Sequence, residues 1–448
     1  MGKATVVFVR PPNLQKTGQW KKQGVIRCPL NIALLASYLR ERGGYDCRLV
    51  DFETKDIASV EAMAETVLQE SPRYVCITTL TPRFPTVVRM ARAIRNLDPG
   101  VVVIAGGPHV TGSPHSALHE GISFGIAGEG EEALLELIDT LESRRDPLNL
   151  RNLIFAENGG VRVNPVRPFI NDLDGLPFPA WDLMELDQYT DPAYFSGSHL
   201  ALFSGRGCPY DCSFCASCVT WKKKLRVRSV DNVMKEIRHI ARVLGIRNLM
   251  FWDDTFAADM RRATTICRRV IEEELDIHYT VQIRADSVSD EFARILRDSG
   301  CAFAAIGVES GNEEMLKRIG KRETKAQFRR AVRIMKEAGL PVIASYIFGL
   351  PGDTHETIRE TLDFAFELDA EQSKFMILSP YPGTRDYDLA VQKGLADPMS
   401  FEQMEALNYY DSVAINLSEV SNDDLIRYQD EAYALFDRLK ESGPGQSA

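Results

Sequence analysis

Between residues 6 and 141 the chain alternates short β-branched runs with helical patterns, and this alternation constrains the fold more than any other feature. The runs 6–9, 47–50, 74–78 and 101–105, with a shorter one at 124–126, are rich in Val and Ile, as buried strands are. Helical spacing falls between and after them, at 31–42 (Ile32, Leu35 and Leu39 on one face), 60–69, 87–97 and 131–141. Strands separated by crossover helices imply a parallel sheet covered on both faces, so a Rossmann-like, doubly wound α/β domain is expected over 1–145.

The pattern then changes. Residues 152–164 read as a hairpin turning on Gly159-Gly160, and the proline-rich stretch 173–182 suits an extended connector, so 146–198 is read as a linker. A second series follows, with strands at 200–204, 248–252, 279–283, 302–308, 342–348 and 373–378 and helices at 230–244, 260–275, 289–299, 325–338 and 354–368. Six strands with five intervening helices predict a (β/α)6 partial TIM barrel over 199–390, short of the eight strands of a closed barrel. Residues 391–448 are read as a short helical C-terminal region, with 425–439 its best segment.

Composition enters through charge and cysteine. A net charge of −10 argues against nucleic acid, which needs a concentrated basic surface, but not against one small anion in a local pocket. The N-terminus has too short an apolar run for a signal peptide and no stretch reaches the ~18 apolar residues of a bilayer span, so no integral membrane segment is expected and the cytoplasm is the expected location. The nine cysteines are then not a disulfide frame. Cys28, Cys47, Cys76, Cys267 and Cys301 lie among apolar neighbours as small core residues, whereas Cys208, Cys212, Cys215 and Cys218 crowd together just after the first strand of the second series.

In α/β folds the C-terminal end of a strand is where chemistry is placed. Three thiolates on one tight loop suit a single metal centre. A structural zinc normally takes a second, distant pair of ligands; an iron–sulfur cluster held by three cysteines keeps one iron open. Cys218 would complete four-thiolate ligation, so spacing alone leaves zinc, a closed cluster and coincidence open. In the basic run Trp221-Lys-Lys-Lys-Leu-Arg-Val-Arg228, Lys222 to Lys224 read as solvated surface, while Arg226 and Arg228 alternate as on a strand and are weaker candidates for an anionic ligand.

The loop Cys208-x3-Cys212-x2-Cys215, with the aromatic Phe214 before its last cysteine, resembles that of the radical S-adenosylmethionine (SAM) superfamily. The resemblance runs on through Phe251-Trp-Asp-Asp-Thr-Phe256, Gln282-Ile-Arg-Ala-Asp286, Gly307-Val-Glu-Ser-Gly311, Gly349-Leu-Pro-Gly-Asp353 and Pro380-Tyr-Pro-Gly-Thr384, all at expected strand ends. It implies a [4Fe–4S] cluster on Cys208, Cys212 and Cys215 whose open iron chelates SAM, and an external electron donor of flavodoxin or ferredoxin type. It further implies SAM contacts from Arg284 to the carboxylate, from Asp253, Asp254 and Glu309 to the amine or ribose, and from backbone at Gly349 and Gly352 to the adenine. Phe214 is placed with these. Paired acids at a strand end also serve simply to cap the next helix.

Ahead of this domain stand Gly106-Gly-Pro-His109 after the fourth strand and Gly128-Glu-Gly-Glu-Glu132 after the fifth. With Arg10-Pro-Pro-Asn13, Pro29-Leu-Asn-Ile-Ala33 and Thr78-Thr-Leu-Thr-Pro82, they make residues 4–142 resemble the cobalamin-binding domain of cobalamin-dependent (class B) radical SAM enzymes. That resemblance implies cobalamin against Thr79, Leu80, Thr81, Gly106, Gly107, His109, Gly128 and Glu129, with Leu80, Thr81 and Arg83 as candidates beneath the corrin. The Asp-x-His-x-x-Gly signature that supplies a cobalt ligand is absent, which implies a lower face without histidine. A module without cofactor is the plain alternative. The function implied is methyl transfer from SAM, through methylcobalamin, to an unactivated carbon of a small-molecule or natural-product substrate made radical by 5′-deoxyadenosyl. The alternatives are a cyclase or oxidoreductase of the same cofactors, and a non-catalytic iron–sulfur or cobalamin sensor.

Overall fold

Val6 to Val9 are fully buried in strand β1 (Thr5–Arg10), so this run has no face to offer water and lies inside a sheet. The computed structural model describes residues 3–12, 25–57, 59–408 and 412–441. Strand β1 pairs in parallel with β2 (Asp46–Asp51) and β3 (Tyr74–Thr78), and β4 (Val102–Gly106) and β5 (Phe124–Ile126) continue beyond β3. Helices α1 (Leu30–Tyr38), α2 (Val60–Gln69), α3 (Phe84–Leu97), α4 (Pro108–Gly112) and α5 (Glu131–Glu142) alternate with the strands. Val7, Val9, Val75 and Ile77 meet Met63, Val67, Val87 and Ile94 on one face, and Phe8, Cys76 and Ile104 meet Ile32, Ala36, Leu134 and Ile138 on the other. The sheet is therefore doubly wound, as its sequence implies. Its order, β2-β1-β3-β4-β5, reverses between β1 and β3, and the crevice beyond the strand C-termini at such a reversal is the natural ligand site.

The hairpin, expected within the linker, is part of this sheet. Strand β6 (Leu153–Glu157) sets Ile154 opposite Gly125 and Leu153 opposite Ile126, antiparallel, and β7 (Gly160–Val163) extends the edge. Asn158 and Gly159, with φ of 51° and 78°, make the two-residue turn, one position earlier than the Gly159-Gly160 expected.

The second sheet runs β8 (His199–Leu202), β11 (Asn248–Phe251), β12 (His278–Ile283), β13 (Cys301–Glu309), β14 (Val342–Phe348) and β15 (Gln372–Ile377), all parallel. Between β8 and β11 lie a two-stranded antiparallel ribbon, β9 (Gly205–Arg206) and β10 (Arg226–Val227), and helix α6 (Ala216–Trp221). The crossover helices α7 (Val230–Arg238), α8 (Met260–Glu272), α9 (Asp290–Asp298), α11 (Lys325–Glu337) and α12 (His355–Leu368) start at Ser229, Asp259, Ser289, Thr324 and Thr354, whose side chains each accept a first-turn amide. The short α10 (Glu313–Arg318) precedes α11.

Six strands leave two open edges, and both are covered. On β15 the Phe375 amide donates to Tyr433 Oη (3.1 Å) and its carbonyl accepts from Gln429 Nε2 (2.8 Å), both side chains on the C-terminal helix Asn422–Glu441. On β8 the His199 amide donates to the Tyr189 carbonyl (2.9 Å) and the Ala201 amide to Cys28 Sγ (3.1 Å). After β15, α13 (Arg385–Gln392) and α14 (Phe401–Ala406) lead back to the first domain, where Phe401 packs on His119 (4.9 Å between ring centres) and Phe84 (6.4 Å). The helix over 422–441, now α15, follows; the C-terminal region is helical as expected.

Candidate active site

The cysteine loop is an excursion pinned at its root, because β9 and β10 pair Arg206 with Arg226 and Gly205 with Val227 on either side of it. Gly207, with φ of 96°, passes so close to the Lys224 carbonyl that any side chain would collide. Cys208, Cys212 and Cys215 follow as free, half-buried thiols. Ser213 N donates to the Ile319 carbonyl (2.9 Å), and Arg385 Nη2 to the Asp211 carbonyl (2.6 Å), which ties the loop to the ends of α10 and the start of α13. Burial pushes the Cys212 thiol up to about 12 against the pull of Lys321. Cys218, one turn into α6, sits at the carbonyls of Tyr210 (3.4 Å) and Cys212 (3.7 Å) and in hydrogen-bond contact with the Cys215 thiol. Among the described residues no three His, Cys, Asp or Glu side chains gather as ligands of a single ion. A cubane cluster asks for something else, one thiolate for each of three irons, and three free cysteines on one rigid loop fit that donor set.

Burial alternates through the residues that follow β11. Asp253 points out of the barrel: it accepts from Ser204 N (2.6 Å) and from Ser204 Oγ, with Arg262 close by. Its neighbours Trp252 and Asp254 are exposed, Trp252 by 37%. Asp254 accepts from Gly207 N (3.1 Å), and desolvation raises its carboxyl against that bond. Phe214 packs against the barrel core. Gly349 and Gly352 have φ of 82° and 80°, and Asp353 Oδ2 shapes their turn by accepting from Gly349 N and Leu350 N (3.0 Å each). Gly349 lies under the Leu425 side chain of α15.

Arg284 is the centre of a charged lattice beside the thiols. Its guanidinium stacks on Tyr210 at 3.6 Å, pairs with Asp286 (2.9 Å) and Glu323 (3.2 Å), and donates to the Lys321 carbonyl (3.1 Å). Lys321 pairs in turn with Glu309 (3.1 Å) and Glu323 (3.5 Å). Glu309 is held at φ 69°, beside a register shift between Gly307 and Glu309, a strained position of the kind that gathers at functional sites. A Cβ on Gly307 would run into Glu309 Oε1, with Lys321 Nζ 3.0 Å away. No sequence motif picks out Tyr210, Lys321 or Glu323, and Trp252 and Asp286 enter only within their strand-end motifs. Lys321 and Glu323 lie after α10, away from any strand end, and only the Gly320-Lys-Arg-Glu turn marks them.

In the first domain the strand C-termini form a shelf with little on it. Leu80 is 44% exposed, and Gly106 and Gly107 offer only backbone. Gly107, at φ 107°, lies where a Cβ would meet the Thr79 carbonyl at 2.9 Å. An apolar side chain beside bare glycines suits the flat face of a large ring. The other expected contacts are turned inward. Thr79 is fully buried, its hydroxyl bonded to the Gly106 carbonyl (2.8 Å). Thr81 Oγ1 meets His109 Nδ1 (3.2 Å), and His109 is sealed against the Phe84 ring (4.1 Å) with Nε2 unpartnered. Burial, with His119 nearby, lowers the His109 imidazole to about 3. Arg83 donates to the Pro11 carbonyl (3.0 Å) and pairs with Glu53 (2.7 Å). Gly128 N donates to Thr111 Oγ1 (3.0 Å), and Glu129 is engaged by Arg206 and Arg226 rather than open to the shelf. Arg228 pairs with Glu236 on α7, and Asn13 lies outside the described residues.

The helices that follow the shelf and the cysteine loop, α4 and α6, meet. Gly112, at the end of α4, abuts the Pro382 carbonyl, and a Cβ on Gly383 would lie 2.8 Å from Val219 of α6 and 3.2 Å from the Gly112 carbonyl. The radical SAM superfamily profile matches residues 202–365, and that of the B12 binding domain matches 24–138. An uncharacterized methyltransferase of Pyrococcus horikoshii is 31% identical over 433 residues, 96% of this chain and 92% of the relative. The chain is a cobalamin-dependent radical SAM enzyme. Its cofactors are a [4Fe–4S] cluster, SAM and cobalamin. The anaerobic magnesium-protoporphyrin IX monomethyl ester cyclase of Rubrivivax gelatinosus is 26% identical to this radical SAM enzyme, over 84% of the chain and 68% of the cyclase. The fold is also that of the radical SAM methyltransferase TsrM from Kitasatospora setae, solved with cobalamin and [4Fe–4S] cluster bound (TM-score 0.72, 21% identity, 87% of this chain and 78% of that one). Among the described residues no helix is long and apolar enough to cross a membrane.

Proposed function

We propose that this enzyme is a methyltransferase that moves a methyl group from SAM, by way of cobalamin, to an unactivated carbon of a small molecule. The observation that supports it most is the junction of Gly112, Pro382, Gly383 and Val219, where the helices that follow the glycine shelf and the cysteine loop adjoin. Bound there, the cofactors supply a reductively generated carbon radical and a transferable methyl. A transfer between them needs both on one cavity, and the end-to-end relationship to a methyltransferase favours that outcome. The cyclase relationship favours a second reading, in which the same radical closes a ring without methyl transfer.

The chain's own residues do the rest. Cys208, Cys212 and Cys215 hold the cluster, with the Cys218 thiol against that of Cys215. Arg284, set by Tyr210, Asp286 and Glu323, offers SAM a carboxylate partner, and Asp254 offers an acceptor for its amine or ribose. Glu309 and Lys321 complete this wall, and Trp252 gives the substrate cavity an aromatic surface. Leu80, Gly106 and Gly107 carry the corrin. Thr79, Thr81 and His109 support that shelf from beneath. The cobalamin unit then comprises 1–145 with the hairpin at 153–163, and the radical SAM unit 199–390. A flavodoxin- or ferredoxin-type donor in the cytoplasm supplies the electron.

The assay is anaerobic incubation of the reconstituted, reduced enzyme with SAM. Both fates of SAM are expected, S-adenosylhomocysteine from methyl donation and 5′-deoxyadenosine from radical formation. Formation of 5′-deoxyadenosine alone, with cobalamin bound, selects the cyclase-type reading.

A further inference from the structure

The two strands at the root of the cysteine loop each send an arginine into the first domain. Arg206 Nη1 donates to Glu129 Oε1 (2.7 Å) and Nη2 to Glu131 Oε1 (2.6 Å). Arg226 Nη1 donates to both Glu129 oxygens (2.8 and 2.9 Å) and to the Ile170 carbonyl (2.6 Å), and Ile170 N returns a bond to Glu129 Oε2 (2.8 Å). The guanidiniums flank Trp221, the last residue of α6, at 5.8 and 5.3 Å, with Phe203 and Phe169 against their other sides at 4.7 and 4.6 Å. All four charged side chains are at most 9% exposed.

The chain of bonds continues to the shelf. Gly128, next to Glu129, donates to Thr111 Oγ1, and Thr111 N and Oγ1 both donate to the Gly107 carbonyl (3.0 Å each). One path of fixed contacts thus runs from Arg206, two residues before Cys208, to the glycine turn on which the corrin would rest.

We infer that Arg206, Glu129, Glu131 and Arg226 are positioning residues that set the spacing between the iron–sulfur cluster and cobalamin. Apolar packing could hold two domains together as well, and buried ion pairs contribute little net stability against it. What charge pairs add is direction: each nitrogen of Arg206 reaches one named oxygen, so sliding by a residue breaks both bonds. The inference rests on the family's cofactors and not on methyl transfer, since a cyclase of the same cofactors would need the spacing too.

Pulsed dipolar spectroscopy between cob(II)alamin and the reduced cluster reads this spacing directly in the loaded enzyme, with hydrogen exchange at residues 107–112 as a second readout. In Glu131→Gln and Arg206→Lys, the distance distribution is expected to broaden or shift and exchange in 107–112 to rise, with iron and cobalamin contents unchanged. Product should then fall by as much as ~100-fold, the effect of roughly 1 Å of misplacement, with a smaller fall in 5′-deoxyadenosine. Glu132→Gln, which breaks only the exposed pair with Arg167, should leave every readout as in the parent. An unchanged distance distribution and unchanged exchange in both Arg206→Lys and Glu131→Gln overturn the proposal. Loss of product alone with the spacing intact also counts against it.

Discussion

His109 stands where a cobalt ligand would be looked for, directly after the Gly-Gly turn, yet its ring is sealed between Thr81 and Phe84. Sequence gives the position of a residue along the chain but not the side of the turn on which it lands, and Glu129 and Asp253 were misdirected for the same reason. Glu129 satisfies two arginines and Asp253 satisfies Ser204, partners far away in sequence. Because His109 stays neutral in the fold to about pH 3 and an unfolded imidazole takes its proton near 6.5, the unfolded state gains protons first as pH falls. Stability from this residue is therefore full above pH 6.5 and is lost below it, by about 1.4 kcal/mol per pH unit down toward the folded value. Urea midpoints between pH 7 and 5 should fall less steeply in His109→Phe than in the parent, and equal slopes would refute the account. His119, which acts on His109 and is itself lowered by burial, adds a dependence of the same sign. The cysteines give a cleaner prediction: Cys208→Ala, Cys212→Ala and Cys215→Ala should each lose the cluster on anaerobic iron analysis. Cys218→Ala should keep it, since that thiol is directed at two carbonyls; iron loss there would make Cys218 a ligand.

Among the elements, the long strands and helices could be read because their periodicity is local. The two-residue strands β9 and β10 are too short for any period to register, and they exist because Arg206 and Arg226 pair across a loop. The caps on the barrel edges could not be read either: Tyr433 and Gln429 sit on a helix some fifty residues beyond the strand they cover. The hairpin was visible in its Gly159-Gly160 pair, one position off the Asn158-Gly159 turn it makes, but not which sheet it joins, since that depends on the space Gly125 leaves opposite Ile154. The glycine turn after β4 carries its own test. Gly107 has φ 107° and ψ −172°, a region almost closed to other residues, with the Thr79 carbonyl beneath it. Gly107→Ala should cost ~1–3 kcal/mol of stability in thermal unfolding and weaken cobalamin binding followed by visible absorption. An alanine variant that matches the parent in both would mean the shelf tolerates a side chain and is not where the ring rests.

In the whole molecule, the order of motifs announced two cofactor domains, and the structure adds how they are joined: through the Arg206–Glu129 network, through Gly112 against Pro382, and through Phe401 on His119 and Phe84. None of these contacts has a local signature, because each couples residues from separate domains whose meeting depends on the completed sheets. With the helices that follow the cysteine loop and the glycine shelf packed together, methyl transfer becomes the chemistry to test first. The most direct measurement is untargeted mass spectrometry of a small-molecule extract incubated anaerobically with the reduced, cobalamin-loaded enzyme and either ordinary or methyl-deuterated SAM. The account predicts a product whose mass shifts with the methyl label and which disappears when cobalamin or reductant is omitted. Consumption of an extract compound with 5′-deoxyadenosine formed, and no product carrying the label, would contradict it.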